Sequence, residues 1–160
     1  MTRIELYLGL GSNEGDRDIN LIRAMNLLDD ALGMHPERIS RIVESPAWGF
    51  EGPDFLNLCV MYRPVLEDNP AEQCEKFLRT IKEIEKQLGR KESPMTDGNG
   101  NRVYSNRPID IDILLFGTQI IKTETLTIPH PLIGQREFVK KTLLEISKPD
   151  VRDAFPELFD

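Results

Sequence analysis

From Ile109 to Ile113 the chain reads Ile-Asp-Ile-Asp-Ile. Strict alternation of this kind has the period of a strand; in a helix the same residues would scatter around the circumference. Ile109, Ile111, Ile113 and then Leu115 are expected to fill one side, while Asp110 and Asp112 leave the other about 7 Å apart. At an effective dielectric of about 20, two such carboxylates repel by about 3 kcal/mol. A divalent cation would remove that cost, and two carboxylates plus substrate phosphates is the usual way a protein holds magnesium. The competing account is an ordinary solvent-facing strand whose carboxylates pair with Arg107 or with lysines.

The charge distribution favours the cation. The 160 residues carry 20 Lys and Arg against 27 Asp and Glu, a net charge of −7, which disfavours broad contact with a nucleic-acid backbone. Arg90, Lys91, Arg102 and Arg107 nevertheless gather in the irregular stretch just before the aspartate strand. An anionic substrate beside a cation-loaded carboxylate pair is the layout of phosphoryl transfer. Lys140-Lys141 reads as a solvated face.

The order of elements sets the fold. Ile4 to Leu10 is a β-rich run ended by Gly9, Gly11 and Ser12-Asn13, and from Asp16 a helical period begins with Ile19, Ile22, Met25, Leu28 and Leu32 on one face. Arg38 to Ser45 and Phe55 to Val65 read as strands. Asn69-Pro70-Ala71-Glu72 joins a cap residue, a proline at the first helical position and a Glu three residues after the cap, and Gly89 stands where a helix ends. Gly117-Thr118 is expected to turn the aspartate strand into a hairpin with Gln119-Ile120-Ile121. Leu126 to Pro129 is extended, and Gln135 to Ile146 is a last helix.

Strand, helix, strand, strand, helix, strand is the βαββαβ order of an α+β, ferredoxin-like domain, here with an added hairpin and C-terminal helix. A mainly antiparallel sheet with helices on both faces is expected, with residues 1–160 forming one domain. Hydrophobic residues at 39% and charged residues at 29% fit a globular chain. No apolar run approaches the ~20 residues that cross a bilayer, and no signal-peptide core follows Met1, so a cytoplasmic protein without membrane or nucleic-acid partners is expected. Cys59 and Cys74 lie in apolar segments and read as reduced core residues.

Three further features bear on a site. Gly9-Leu10-Gly11-Ser12-Asn13-Glu14-Gly15 lies between strand and helix but is one residue too long for a dinucleotide loop, and a tight turn is the simpler account. His130, between Pro129 and Pro131, is fixed in an extended segment, as a structural hydrogen-bonder or as a ligand contact. Phe55 and Asn57 share a strand face, so a ring and an amide able to read the edge of a heterocycle point the same way; with Phe138 the rings could equally be core.

Together these residues resemble the 6-hydroxymethyl-7,8-dihydropterin pyrophosphokinase family. The resemblance runs through Gly11-Ser12-Asn13, Ser45-Pro46, Phe55-Leu56-Asn57, Glu85 to Arg90, Arg107 to Gly117 and Pro129-His130-Pro131. It implies transfer of pyrophosphate from ATP to the pterin alcohol in folate biosynthesis. By that resemblance Asp110 and Asp112 would bind two magnesium ions with ATP. Arg90, Arg107, His130 and Arg136 would contact the phosphates, and Leu78, Glu85, Ile113 and Thr127 would surround adenine and ribose. The pterin would stack between Phe55 and Phe138, read by Asn57 and by the segment Ser45, Pro46, Trp48, Gly49.

The chain departs from the family pattern in places. Extra residues lie from Pro94 to Gly100, Glu92 stands where many members are basic, and Tyr104 stands for a common tryptophan at the ATP site. Phe55 replaces a frequent tyrosine and Trp48 an aliphatic residue. The stretch from Lys91 to Asn106, without apolar periodicity, is expected to close over the phosphates when both substrates are bound. A different two-metal phosphoryl or nucleotidyl transferase and a non-catalytic ferredoxin-like ligand-binding domain are the alternatives.

Overall fold

The computed structural model describes residues 1–47, 52–90 and 107–160. Strand β1 is Leu6–Ser12 and helix α1 is Arg17–Leu32. Asp16 caps α1 by accepting the Ile19 N–H, and Gly33 closes it in the left-handed conformation at φ 67°. The edge segment is broken into β2, Arg38–Ile39, and β3, Val43–Ser45. Both pair with β4, Phe55–Tyr62. Helix α2, Pro70–Gln87, starts as its sequence specifies, with Asn69 Oδ1 accepting the Glu72 N–H at 3.1 Å. Strand β5 is Asp110–Phe116, and a separate two-stranded hairpin follows, β6 (Ile121–Lys122) with β7 (Thr127–Ile128). A 3-10 turn at Ile133–Gln135 leads into α3, Glu137–Ile146, then α4, Pro149–Ala154, and a last 3-10 turn at Pro156–Phe159.

The sheet runs β2-β4-β1-β5 with β3 also on β4, and every pairing is antiparallel. This is the α+β, ferredoxin-like architecture. One sheet face carries Leu6, Leu8 and Leu10, with Leu56, Leu58 and Val60, and with Ile109, Ile111 and Ile113, against Leu21, Ala24 and Leu28 of α1 and Cys74, Ile81 and Ile84 of α2. The other face packs Tyr7, Cys59, Met61, Leu114 and Leu115 against Ile133, Leu143, Ile146, Val151 and Phe155. Both cysteines are buried and free, and burial pushes the Cys74 thiol up to about 12. Among the described residues no helix is long and apolar enough to cross a membrane.

Four expectations need correction. The buried face of α1 is Leu21, Ala24 and Leu28, and Ile19 and Ile22 are 50% and 53% exposed. The Arg38 to Ser45 strand is interrupted because Ser40 uses its hydroxyl where a backbone carbonyl would serve: Cys59 N–H donates to Ser40 Oγ at 2.8 Å. Gly117 does make a turn, with Gln119 N–H donating to Phe116 O at 3.0 Å, but Ile121 pairs with Ile128 and not with β5. In β5 the pairing runs Leu8 with Ile113 and Tyr7 with Leu115, so Leu114 is a bulged extra residue. Leu115 therefore joins the α3 side, away from Ile109, Ile111 and Ile113.

Candidate active site

The α3-side face of the sheet changes character along the strands. Near α3 it carries Tyr7, Cys59 and Met61, all fully buried. Toward the other end β1 offers only Gly9 and Gly11, so β1 itself puts no side chain into the space above them. Register places Gly11 opposite both Asn57 and Asp110, and Gly9 opposite both Cys59 and Asp112. Two strand spacings, roughly 10 Å, thus separate the amide of Asn57 from the carboxylate of Asp110 across a bare floor. A Cβ on Gly11 would stand 3.1 Å from Asn57 Oδ1 and 3.4 Å from the Phe55 ring, and one on Gly9 would stand 3.3 Å from Leu114. The glycines read from sequence as a tight turn are strand residues whose missing side chains make the cavity.

That cavity encloses about 320 Å³. Ser45, Pro46, Phe55, Asn57 and Phe138 line one part of it, and Arg107, Asp110, Asp112, His130 and Arg136 line the other. Phe55 opens β4, while Phe138 comes from the first turn of α3, and both rings are half-buried. Asn57 is oriented by two bonds: its Nδ2 donates to Val43 O at 3.0 Å and to Ser45 Oγ at 2.8 Å. The acceptor Oδ1 is left on the Gly11 side, as a ligand with N–H donors would require.

The charged part is held as firmly. Asp110 Oδ1 lies 3.2 Å from Nη1 of both Arg90 and Arg107. Asn13 fixes Arg107 from behind: its N–H donates to Arg107 O at 3.0 Å, its Oδ1 accepts the Arg107 N–H at 2.7 Å, and its Nδ2 reaches Pro53 O at 3.1 Å. No motif of sequence announces this contact between residues so far apart in the chain. Leu132 N–H donates to His130 Nδ1 at 3.2 Å, so a neutral imidazole carries its proton on Nε2, which lies 3.8 Å from Asp112 Oδ1. The His130 N–H donates to Leu114 O at 2.9 Å and ties the Pro-His-Pro segment to β5 at the bulge.

Enclosure in the cleft raises the Asp112 carboxyl well above the usual carboxylate range, with the negative charges of Asp110 and Glu85 adding to it against Arg136 and Arg90. Glu85 is pushed up to about 6 by burial first and by Asp110 next, opposed by Arg90 and by the Ile111 N–H. Carboxylates crowded beyond what the nearby arginines offset suit a divalent cation. Among the described residues no group of three or more His, Cys, Asp or Glu could hold a metal alone. The donor set therefore fits magnesium shared with phosphate oxygens and not a closed protein cage.

The residues expected around adenine and ribose are not on this cavity. Leu78 packs half-buried on α2, Thr127 is half-buried on β7, and Ile113 is buried in the α1–α2 core. Glu85, also buried, bonds to Arg90 and to the Ile111 N–H. Trp48, Gly49, Arg102, Tyr104 and the whole expected closing segment from Lys91 to Asn106 lie outside the described residues.

Residues 7–148 match the family described as 7,8-dihydro-6-hydroxymethylpterin-pyrophosphokinase (HPPK). A 2-amino-4-hydroxy-6-hydroxymethyldihydropteridine pyrophosphokinase of Aquifex aeolicus is 40% identical over 142 residues, covering 88% of this chain and 79% of the relative. Proteins of the same name from Porphyromonas gingivalis and Bacillus subtilis are 38% and 35% identical, covering 89% and 92% of this chain and 90% and 81% of their own.

Proposed function

Since the chain belongs to the 7,8-dihydro-6-hydroxymethylpterin pyrophosphokinase family, we propose that the two-part cavity over Gly9 and Gly11 is where pyrophosphate passes from ATP to the pterin alcohol. The activity is that of an ATP-dependent diphosphotransferase of folate biosynthesis. The observation that carries the assignment is the floor of Gly9 and Gly11, which puts a stacking and amide-reading pocket next to a carboxylate and arginine cluster with nothing between them.

Phe55 and Phe138 take the two faces of the pterin, and Asn57 Oδ1 accepts from its amino edge, backed by Ser45 and Pro46. Arg90, Arg107, Arg136 and His130 Nε2–H bear on the triphosphate. Asp110 and Asp112 are the residues that would hold magnesium, two ions in our reading, which supply charge neutralisation to the phosphates when bound. The hydroxymethyl oxygen forms a bond to the β-phosphorus as the bond from that phosphorus to the α–β bridging oxygen breaks. AMP leaves, the hydroxyl proton is released, and no covalent enzyme intermediate is formed. The chain's own contribution is positioning: one rigid sheet presents Asn57 and Asp110 at a fixed separation, so the two substrates meet in line. Leu78, Ile113 and Thr127, with Tyr104, remain our assignment for the nucleoside end, and a cytoplasmic location is part of the same proposal.

Release of AMP from ATP is the test, followed with and without magnesium and with and without the pterin alcohol. The proposal requires AMP only when both are present. AMP or phosphate formed without the pterin alcohol would mean a different transferase or hydrolase.

A further inference from the structure

Glu85 is 7% exposed near the end of α2, and one oxygen of its carboxylate serves two neighbours. Its Oε2 accepts the Ile111 N–H at 2.9 Å and pairs with Arg90 Nη1. Ile111 is the residue between Asp110 and Asp112, on the edge strand of the sheet. Glu85 thus occupies the open edge of β5 between the two aspartates. The same Arg90 Nη1 lies 3.2 Å from Asp110 Oδ1, so one carboxylate steadies both the strand that carries the aspartates and the guanidinium that leans on the first of them.

We propose that Glu85 is a positioning residue for the phosphate end of the site, acting through Arg90 and the Ile111 main chain and not by touching adenine or ribose. A neutral acceptor would suffice for the Ile111 N–H. An anion holds Arg90 about twice as strongly as a neutral acceptor would, and an anion placed this close to Asp110 and Asp112 is unfavourable unless a guanidinium offsets it. The inference rests on Arg90 serving the phosphates, and the variants below separate the two.

Glu85→Gln keeps an acceptor for Ile111 and deletes the charge. A loss of roughly 10-fold to 100-fold in kcat/KM for ATP is expected, the usual size for a partner that orients a site's ligands. Binding of the pterin alone, measured by calorimetry, should be unchanged, since Glu85 does not line the cavity. The doubly substituted Glu85→Gln/Arg90→Met enzyme should lose no more than Arg90→Met does by itself, because the two act in series. Losses that multiply would overturn the positioning role, as would a normal ATP response in Glu85→Gln. An Arg90→Met enzyme with unchanged ATP parameters would bring down the phosphate assignment itself. Glu85→Ala, which also leaves the Ile111 N–H unpaired, should lower the melting temperature more than Glu85→Gln does.

Discussion

Replacing Asp112 by Asn should stabilise the metal-free protein and disable it as a catalyst. The two carboxylates leave one face of β5 about 6 to 7 Å apart, a repulsion of about 3 kcal/mol at an effective dielectric of about 20. Two corrections reduce it. Arg90 and Arg107, each 3.2 Å from Asp110 Oδ1, cancel part of the Asp110 charge. The Asp112 side chain is 36% exposed, so water screens what is left. A net relief of about 1 kcal/mol remains, worth about 2 to 4 °C in melting temperature for a chain of this size. Scanning calorimetry in a chelator, at a pH high enough to ionise both carboxylates, should therefore find Asp112→Asn above the wild type. With magnesium and a non-hydrolysable ATP analogue at about 100 times Kd the wild type gains about 2.7 kcal/mol and overtakes a variant that gains little. Turnover should fall by more than about 100-fold, since partners one shell further from a metal already cost about 10- to 100-fold. A variant less stable than wild type in chelator, or one that turns over normally at limiting magnesium, would refute the reasoning.

Phe55→Ala and Phe138→Ala should each weaken pterin binding by about tenfold or more, the stacking increment plus lost burial, with ATP binding unchanged in calorimetry; equal losses for both ligands would make the rings structural. Gly11→Ala puts a methyl 3.1 Å from Asn57 Oδ1 and should raise the pterin KM while leaving the circular dichroism spectrum and melting temperature near wild type. Glu75 accepts from Thr123 Oγ1 and from Thr125 Oγ1, the latter at 2.8 Å, which lowers its pKa below the usual value. The clamp of the β6–β7 hairpin onto α2 is therefore complete above the ordinary carboxylate pKa and lost as pH falls through the lowered one. Amide protection of residues 121–128, corrected for intrinsic rates, should drop over that acid range, and Glu75→Gln should abolish the dependence.

Local chemistry was legible where one residue type decides the outcome. Asn69, Pro70 and Glu72 start α2 because a cap needs an acceptor, a fixed φ and a free N–H, all visible in four letters. Asp110 and Asp112 share a face because two positions along a strand always do, and they meet Arg107, His130, Phe55, Asn57 and Phe138 on one cavity. On α1 the expected Leu28 is buried and Met25 and Leu32 pack against the core, but Leu21 and Ala24 replace Ile19 and Ile22, because both sets satisfy the same period and only the sheet beneath chooses between them. Gly9 and Gly11 read as a turn because glycine marks both bends and close approaches; their place on the cavity floor depends on cross-strand register. The bonds of Glu85 to Ile111 and of Asn13 to Arg107 join side chain to main chain across distant segments, and composition carries no signal for them. The short α4 came as an addition, docked by Val151 alone among its residues.

Strand β5 holds one residue that its ladder does not need. Leu114 has no partner on β1, and removing that single codon would leave Ile113, Leu115 and Phe116 facing as they do now, paired in sequence with Leu8, Tyr7 and Leu6. The sheet would survive the deletion; the carbonyl that receives the His130 N–H and the side chain above Gly9 would not. Loss of Ile111 does the reverse, leaving an aspartate opposite Leu10 on the buried face. In a library of single-residue deletions, position 114 should yield folded but inactive protein, position 113 should also fold because Leu114 slides into the place opposite Leu8, and position 111 should yield no folded protein.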